Sequence, residues 1–178
     1  EAVFCRSGGA ASGCLIAVNW GIFIWSVSVG RLVEASFGYY LNPLVNVGLG
    51  VLLLGEHLSR VQRIAIGVAA LGVLVLGFGS GAAPWLPLSL AATFGLYGLV
   101  RKLTPVSSLA GLSLETALLS PLALGYILVL GDTGESHLGT ADLRTSALLV
   151  FSGVVTALPL IWFASAARRL SFSALGIF

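Results

Sequence analysis

Charge is what this chain has least of. Asp, Glu, Lys and Arg make up 9% of its 178 residues, where soluble domains carry about 25%. It has no methionine, two cysteines and two histidines. Cys5 and Cys14 do not form a CxxC pair, so neither a disulfide framework nor a thiolate metal site is expected. His57 and His137 stand alone, without the neighbours that a metal ion needs. A net charge of +2, with no basic stripe interleaved with aromatics, excludes a nucleic-acid partner. HExxH, Walker and GxSxG motifs are missing. GESHLG at 134–139 comes near the last, but Gly134, Ser136 and Leu138 do not complete it. The chain therefore reads as a non-enzyme without cofactor or metal. Its start also lacks the basic region and short apolar core of a cleaved signal peptide.

What the chain does have is apolar sequence, 57% of its residues. That share suits a protein whose solvent is the bilayer. A helix needs about 20 mostly apolar residues to cross the hydrocarbon core. Such runs occur near 10–30, 35–55, 62–79, 84–100, 109–130 and 147–167, and a seventh begins near 171. The runs are long and show no period-2 alternation, so helices are expected rather than barrel strands. The fold class is an all-α, polytopic helix bundle in one transmembrane domain, residues 1–178. The chain opens with Glu1 rather than Met and stops at Phe178 inside a new apolar run. We expect it to be a stretch of a longer protein.

Basic residues set the expected orientation. Arg60 and Arg63, Arg101 and Lys102, and Arg168 and Arg169 occupy alternate linkers, and Arg6 falls on the same side. The positive-inside rule places 56–62, 101–107 and 168–171 in the cytoplasm and the acidic loop 131–146 outside. RLVEASFGYY (31–40) also lines up with RLSFSALGIF (169–178), with Arg, Leu and Gly matching in place. Such a repeat is expected where a transporter is built from two halves with its solute site between them.

The polar residues inside the spans carry the functional signal. In GYYLNPLVNVGLGVLLLGEHLS (38–59), Asn42 and Asn46 stand four apart and share a helix face with Tyr39. Pro43 removes the helical partner of the Tyr39 carbonyl. Amides and a free carbonyl are costly in lipid, so this face turns to other helices or to a wet cavity. Two roles fit: interhelical hydrogen bonds, or the lining of a solute path. Glu115 is the one acid well within a span, a candidate to carry a coupling proton or to pair with Arg101 or Lys102. Asn19 and Trp20 lie mid-span, and Trp162 stands one turn from Pro159, where it could stack on a solute. Trp25 and Tyr97 are read as interface anchors. Glu56, after Gly55, is expected to form a local ion pair or cap near Ser59 and Arg60.

Several stretches together resemble one family. NWGIFIWSVSVGRLVEASFGYYLNPLVNVGLGVLLLGEHLS, FGLYGLVRK, LSLETALLSPLAL and GVVTALPLIWFASAARRL are similar to the RarD-type branch of the EamA transporters, in the drug/metabolite transporter superfamily. The resemblance covers essentially the whole chain. It implies ten helices in two inverted five-helix repeats, with residues 1–79 holding helices three to five and 80–178 holding helices six to eight and the start of nine. The first two helices and the tenth would then be missing. It implies a carrier of the bacterial inner membrane that moves a small-molecule solute. The branch is associated with chloramphenicol sensitivity, which is a phenotype and not a substrate. The family's central cavity points to Asn19, Trp20, Tyr39, Asn42, Asn46, Tyr97 and Trp162 as substrate-binding residues. The expected function is secondary transport by alternating access, with a proton as coupling partner through Glu115. The alternative is a non-catalytic membrane scaffold whose polar groups only lock helices together. No oligomeric state is assigned.

Overall fold

The computed structural model describes residues 2–79, 84–133 and 143–175. Among them all regular structure is helical: α1 (Ala2–Ser28), α2 (Leu32–Leu54), α3 (Arg60–Gly79), α4 (Trp85–Leu103), α5 (Ser108–Asp132), α6 (Leu143–Arg169) and α7 (Phe172–Leu175). Five of these, α1, α2, α3, α5 and α6, are long and apolar enough to cross a membrane. The protein is an all-α, multi-pass membrane protein. α4, the sixth expected span, is not among those five, although its 19 residues reach about 28 Å at about 1.5 Å per residue, close to the ~30 Å hydrocarbon thickness. It is less apolar because it ends on Arg101 and Lys102 and sits at the centre of the bundle.

Local chemistry sets the helix ends. Ser59 and Gln62 open α3 with reciprocal backbone–side-chain hydrogen bonds of 2.9 and 3.2 Å, a capping-box arrangement. The Ser107 hydroxyl accepts from Ala110 N–H at the start of α5. Gly55 ends α2 in the left-handed conformation, φ 64°, which only glycine adopts without strain. The next N–H, of Glu56, closes back on Gly50 O at 3.0 Å. Pro43, Pro121 and Pro159 all lie inside helices that continue across them.

α4 packs against α1, α2 and α6, and α2 also meets α7. Leu86, Leu90, Ala91 and Tyr97 of α4 are buried with Ala35 and Leu41 of α2. The outer faces stay apolar and uncovered: Leu52, Val61, Val75, Leu128 and Val150 are all exposed. In lipid that exposure costs nothing, and the backbone is satisfied inside each helix.

The two ends of the bundle differ. At one end Trp25 and Trp85 approach to 5.9 Å, and Arg31 lies over the Trp85 ring while pairing with Glu34 at 2.7 Å. At the other end the basic linkers meet. Lys102 Nζ donates to Leu170 O at 2.6 Å, and Arg168 donates to Val106 O at 2.6 Å. The linkers expected to share a side thus do so. Most of the acidic loop, with His137 and GESHLG, and the last three residues of the second repeat copy lie outside the described residues.

Candidate functional site

α1, α2, α4 and α6 line a partly open cavity of about 490 Å³. α1 contributes Asn19, Trp20 and Phe23, α2 contributes Tyr39, and α4 contributes Phe94. α6 supplies Thr156, Pro159 and Phe163, with Val155 and Leu160. No acidic or basic side chain lines it among the described residues. A small hollow of about 10 Å³ adjoins it, bounded by Asn19, Gly38, Tyr39, Asn42, Leu90 and Phe94. That is about the room of one water molecule.

The sequence-selected residues fall into three groups. Asn19, Trp20, Tyr39 and Asn42 come together around the cavity and its hollow. Asn19 Nδ2 donates to Leu90 O at 2.9 Å and to the Thr93 hydroxyl at 2.8 Å, which ties α1 to α4. Asn42 Oδ1 is buried without a hydrogen-bond partner. Asn46 and Tyr97 form a second group just behind the wall. Asn46 is buried beside Gly95, its Oδ1 also unpartnered. Tyr97 is fully buried, with its ring stacked near Phe163 at 6.4 Å and near Phe94 at 6.0 Å. It packs inside the bundle and not at a membrane interface. Trp162 is alone: it is 68% exposed and points away from the cavity. The ring that enters is that of Phe163, one residue and about 100° further round α6.

Glu115 is buried in a third place, seven residues into α5. Ser12 of α1 donates to its Oε1 at 2.5 Å, and Arg101 Nη1 stands 3.7 Å from the same oxygen. Arg101, itself buried, donates from Nη2 to Ser108 O at 2.9 Å. Gly111 makes this possible, because a Cβ there would overlap the guanidinium. Of the two partners expected for Glu115, Arg101 is therefore the one in contact. Lys102 turns to the opposite side.

Glu56 departs from its expected local role. Its Oε1 accepts from Phe172 N–H at 2.7 Å, and its Oε2 accepts from Ser173 N–H at 2.7 Å and from the Ser173 hydroxyl. Lys102 Nζ stands 3.9 Å from Oε1. The carboxylate caps a helix 116 residues away in sequence, and Gly50 leaves room for it. Burial alone would favour its neutral form. The Ser173 and Phe172 donors and the Lys102 charge outweigh that and hold the carboxyl below its ordinary value.

Phe23, Thr93, Phe94, Phe163, Ser12 and Arg101 were not selected as site residues from sequence. Phe94 and Arg101 could have been found, since they stand three before and four after Tyr97 and share its helix face.

No family model matches the chain, and no solved structure does. Curated relatives do. It is 46% identical over 168 residues to protein RarD of Streptomyces exfoliatus, covering 94% of this chain and 53% of that protein. It is 48% identical over 163 residues to the uncharacterized transporter YojE of Bacillus subtilis, 92% of this chain and 54% of that protein. It is 34% identical, over 92% of its length and 54% of the relative's, to a chloramphenicol-sensitive protein RarD of Pseudomonas aeruginosa. The chain thus spans about half the length of the curated relatives it matches.

Proposed function

We propose that this chain, a RarD-type sequence of a multi-pass bacterial membrane protein, lines the solute path of a secondary transporter. A small metabolite or drug would bind in the cavity between α1, α2, α4 and α6. Alternating access would rock α1–α3, as the end of one repeat, against α4–α7, as the start of the next, in the inner membrane. The relatives named as transporters support the class. The observation that carries the reading is Asn42, whose unspent carbonyl oxygen borders the hollow beside a cavity of solute size. A buried acceptor without a partner costs about 1–3 kcal/mol, and a polar solute would relieve it. Glu115 is our candidate for the coupling proton. It is a carboxyl group placed off the cavity, with one oxygen free.

A scaffold is the second reading, and Asn19 favours it. Both of its donor contacts lock α1 to α4, and such bonds are worth about 0.6–2 kcal/mol. The test is thermal melting of the full-length protein with amino acids, nucleosides, sugars and amphenicols. On the transporter reading one solute class raises the melting temperature saturably, and Asn42→Leu weakens that protection without lowering the unliganded value. A scaffold predicts the reverse: no solute protects, and Asn42→Leu shifts stability alone.

A further inference from the structure

α4 carries a line of side chains from the cavity to the buried carboxylate. Phe94 is in the cavity wall, Tyr97 lies one turn on, and Arg101 one turn further, all on one helix face. The ring of Tyr97 stacks near Phe163, the aromatic that α6 sends into the cavity. Phe163 in turn rests 4.8 Å from Phe94. The hydroxyl of Tyr97 lies at the other end of its ring, within electrostatic reach of both Glu115 and Arg101. Tyr97 therefore packs against the cavity wall with its ring while its hydroxyl is directed toward the charged pair.

The pair is incompletely satisfied. Glu115 Oε2, Arg101 Nε and the Tyr97 hydroxyl are all buried and all without a hydrogen-bond partner. A carboxylate only accepts, whereas a carboxylic acid also donates. A phenol does both, so Tyr97 can donate to Glu115 when it is ionised and accept from it when it is protonated. The hydroxyl has no hydrogen-bond partner here, so making either bond would require it to move toward Glu115, and the rigid ring would carry that displacement to its contact with Phe163. Among the described side chains, the charged or titratable groups facing Glu115 are Arg101 and Tyr97, both from α4. α1 presents the neutral Ser12 and Gly13. Lys102 is committed to Glu56 and Leu170.

We infer that Tyr97 is a positioning residue that carries the protonation state of Glu115 to the aromatic wall of the cavity, through its ring contact with Phe163. This rests on the transporter reading only for its biological use, since it concerns a proton and a ring and no solute.

The experiment uses the full-length protein with every tryptophan except Trp20 replaced by phenylalanine. Trp20 lines the cavity, so its fluorescence reports on the wall. The protonated carboxyl band of Glu115, assigned by its loss in Glu115→Gln, is followed by infrared spectroscopy through the same pH titration. Trp20 emission is expected to change with the same midpoint as that band and to become flat in Glu115→Gln. Tyr97→Phe keeps the ring and the packing. It is expected to leave a carboxyl band that still titrates while the Trp20 response falls at least about fivefold, the two events being uncoupled. Phe163→Leu, which removes the contact from the other side, should uncouple them too, with melting checked for both variants. A Trp20 response that survives Tyr97→Phe and Phe163→Leu overturns the inference, and so does a Trp20 signal that never follows the band. Neither readout involves flux, so the link through Tyr97 can fail while transport stands, or stand while transport fails.

Discussion

The two carboxylates Glu56 and Glu115 sit in opposite circumstances. Glu56 is the more exposed, its side chain 16% accessible against 2% for Glu115. Yet Glu56 has both oxygens filled, by two backbone N–H groups and a hydroxyl, with Lys102 nearby. Glu115 has one oxygen filled and the other empty, with Arg101 at 3.7 Å and so beyond hydrogen-bond length. Solvation alone predicts the reverse, because the deeper charge needs its partners more. The difference separates a joint from a site. Glu56 fastens α2 to α7 at the end where the linkers meet. Glu115 keeps an unfilled oxygen beside Arg101, and in our proposal it is there that a change of protonation is answered by its neighbours.

The comparison breaks or holds first on stability. Glu56→Ala removes three charge-assisted hydrogen bonds at the start of α7 and leaves only the Ser171 hydroxyl capping it, on Ala174 N–H. We expect a loss of about 3 kcal/mol in the full-length protein, read as a lower melting temperature in detergent. Glu115→Gln keeps an oxygen for Ser12 and matches the protonated acid in shape, so we expect a loss of about 1 kcal/mol or less. Removing one partner of a firm buried ion pair costs about 3–5 kcal/mol. A loss of that size in Glu115→Gln would make Glu115 a second joint and end the distinction.

Acid sharpens the same contrast at smaller amplitude. The Glu56 carboxyl is held below its ordinary value of 4.5 in the folded state. Its contribution is therefore complete above that ordinary value and is lost as pH falls through the lower folded one. The melting temperature should drop in that acid window, and Glu56→Gln should flatten this part of the dependence. The effect is smaller than that of truncation, because a protonated Glu56 still accepts from an N–H. An unchanged acid slope in Glu56→Gln would show that the cap is not ionised when formed.

How much of this was legible in the sequence follows from the range of each interaction. The spans were readable because lipid demands long apolar runs, and the shared side of the basic linkers because charge is sparse enough to count. The amides on α2 were readable because four residues make one turn. Glu56 was misread because its ligands lie 116 residues on, in a helix whose approach only tertiary packing decides. Tyr97 looked like an interface anchor because its distance from a helix end is a sequence property and its burial is not. Arg101 was read both as a cytoplasmic charge and as one of two candidate partners of Glu115, and sequence could not choose between it and Lys102. It folds back to Glu115 because Gly111 leaves it a place, a complementarity that one sequence does not display.

The smallest expected effect concerns two adjacent rings on α6. Trp162 carries the stronger sequence signal, being the larger aromatic one turn from Pro159, yet it is the exposed one. Phe163 contacts Phe94 at 4.8 Å, and a Cβ on Gly98 would stand 3.1 Å from its ring. Trp162→Leu exchanges one exposed apolar group for another. It should change the melting temperature by the equivalent of no more than about 0.5 kcal/mol and leave solute protection intact. Phe163→Leu should cost about 1 kcal/mol through its lost ring contacts and weaken protection by any solute that Asn42→Leu also affects. If Trp162→Leu weakened protection instead, the solute would approach α6 from the face that is open here, and the cavity between α1, α2, α4 and α6 would not be its binding place.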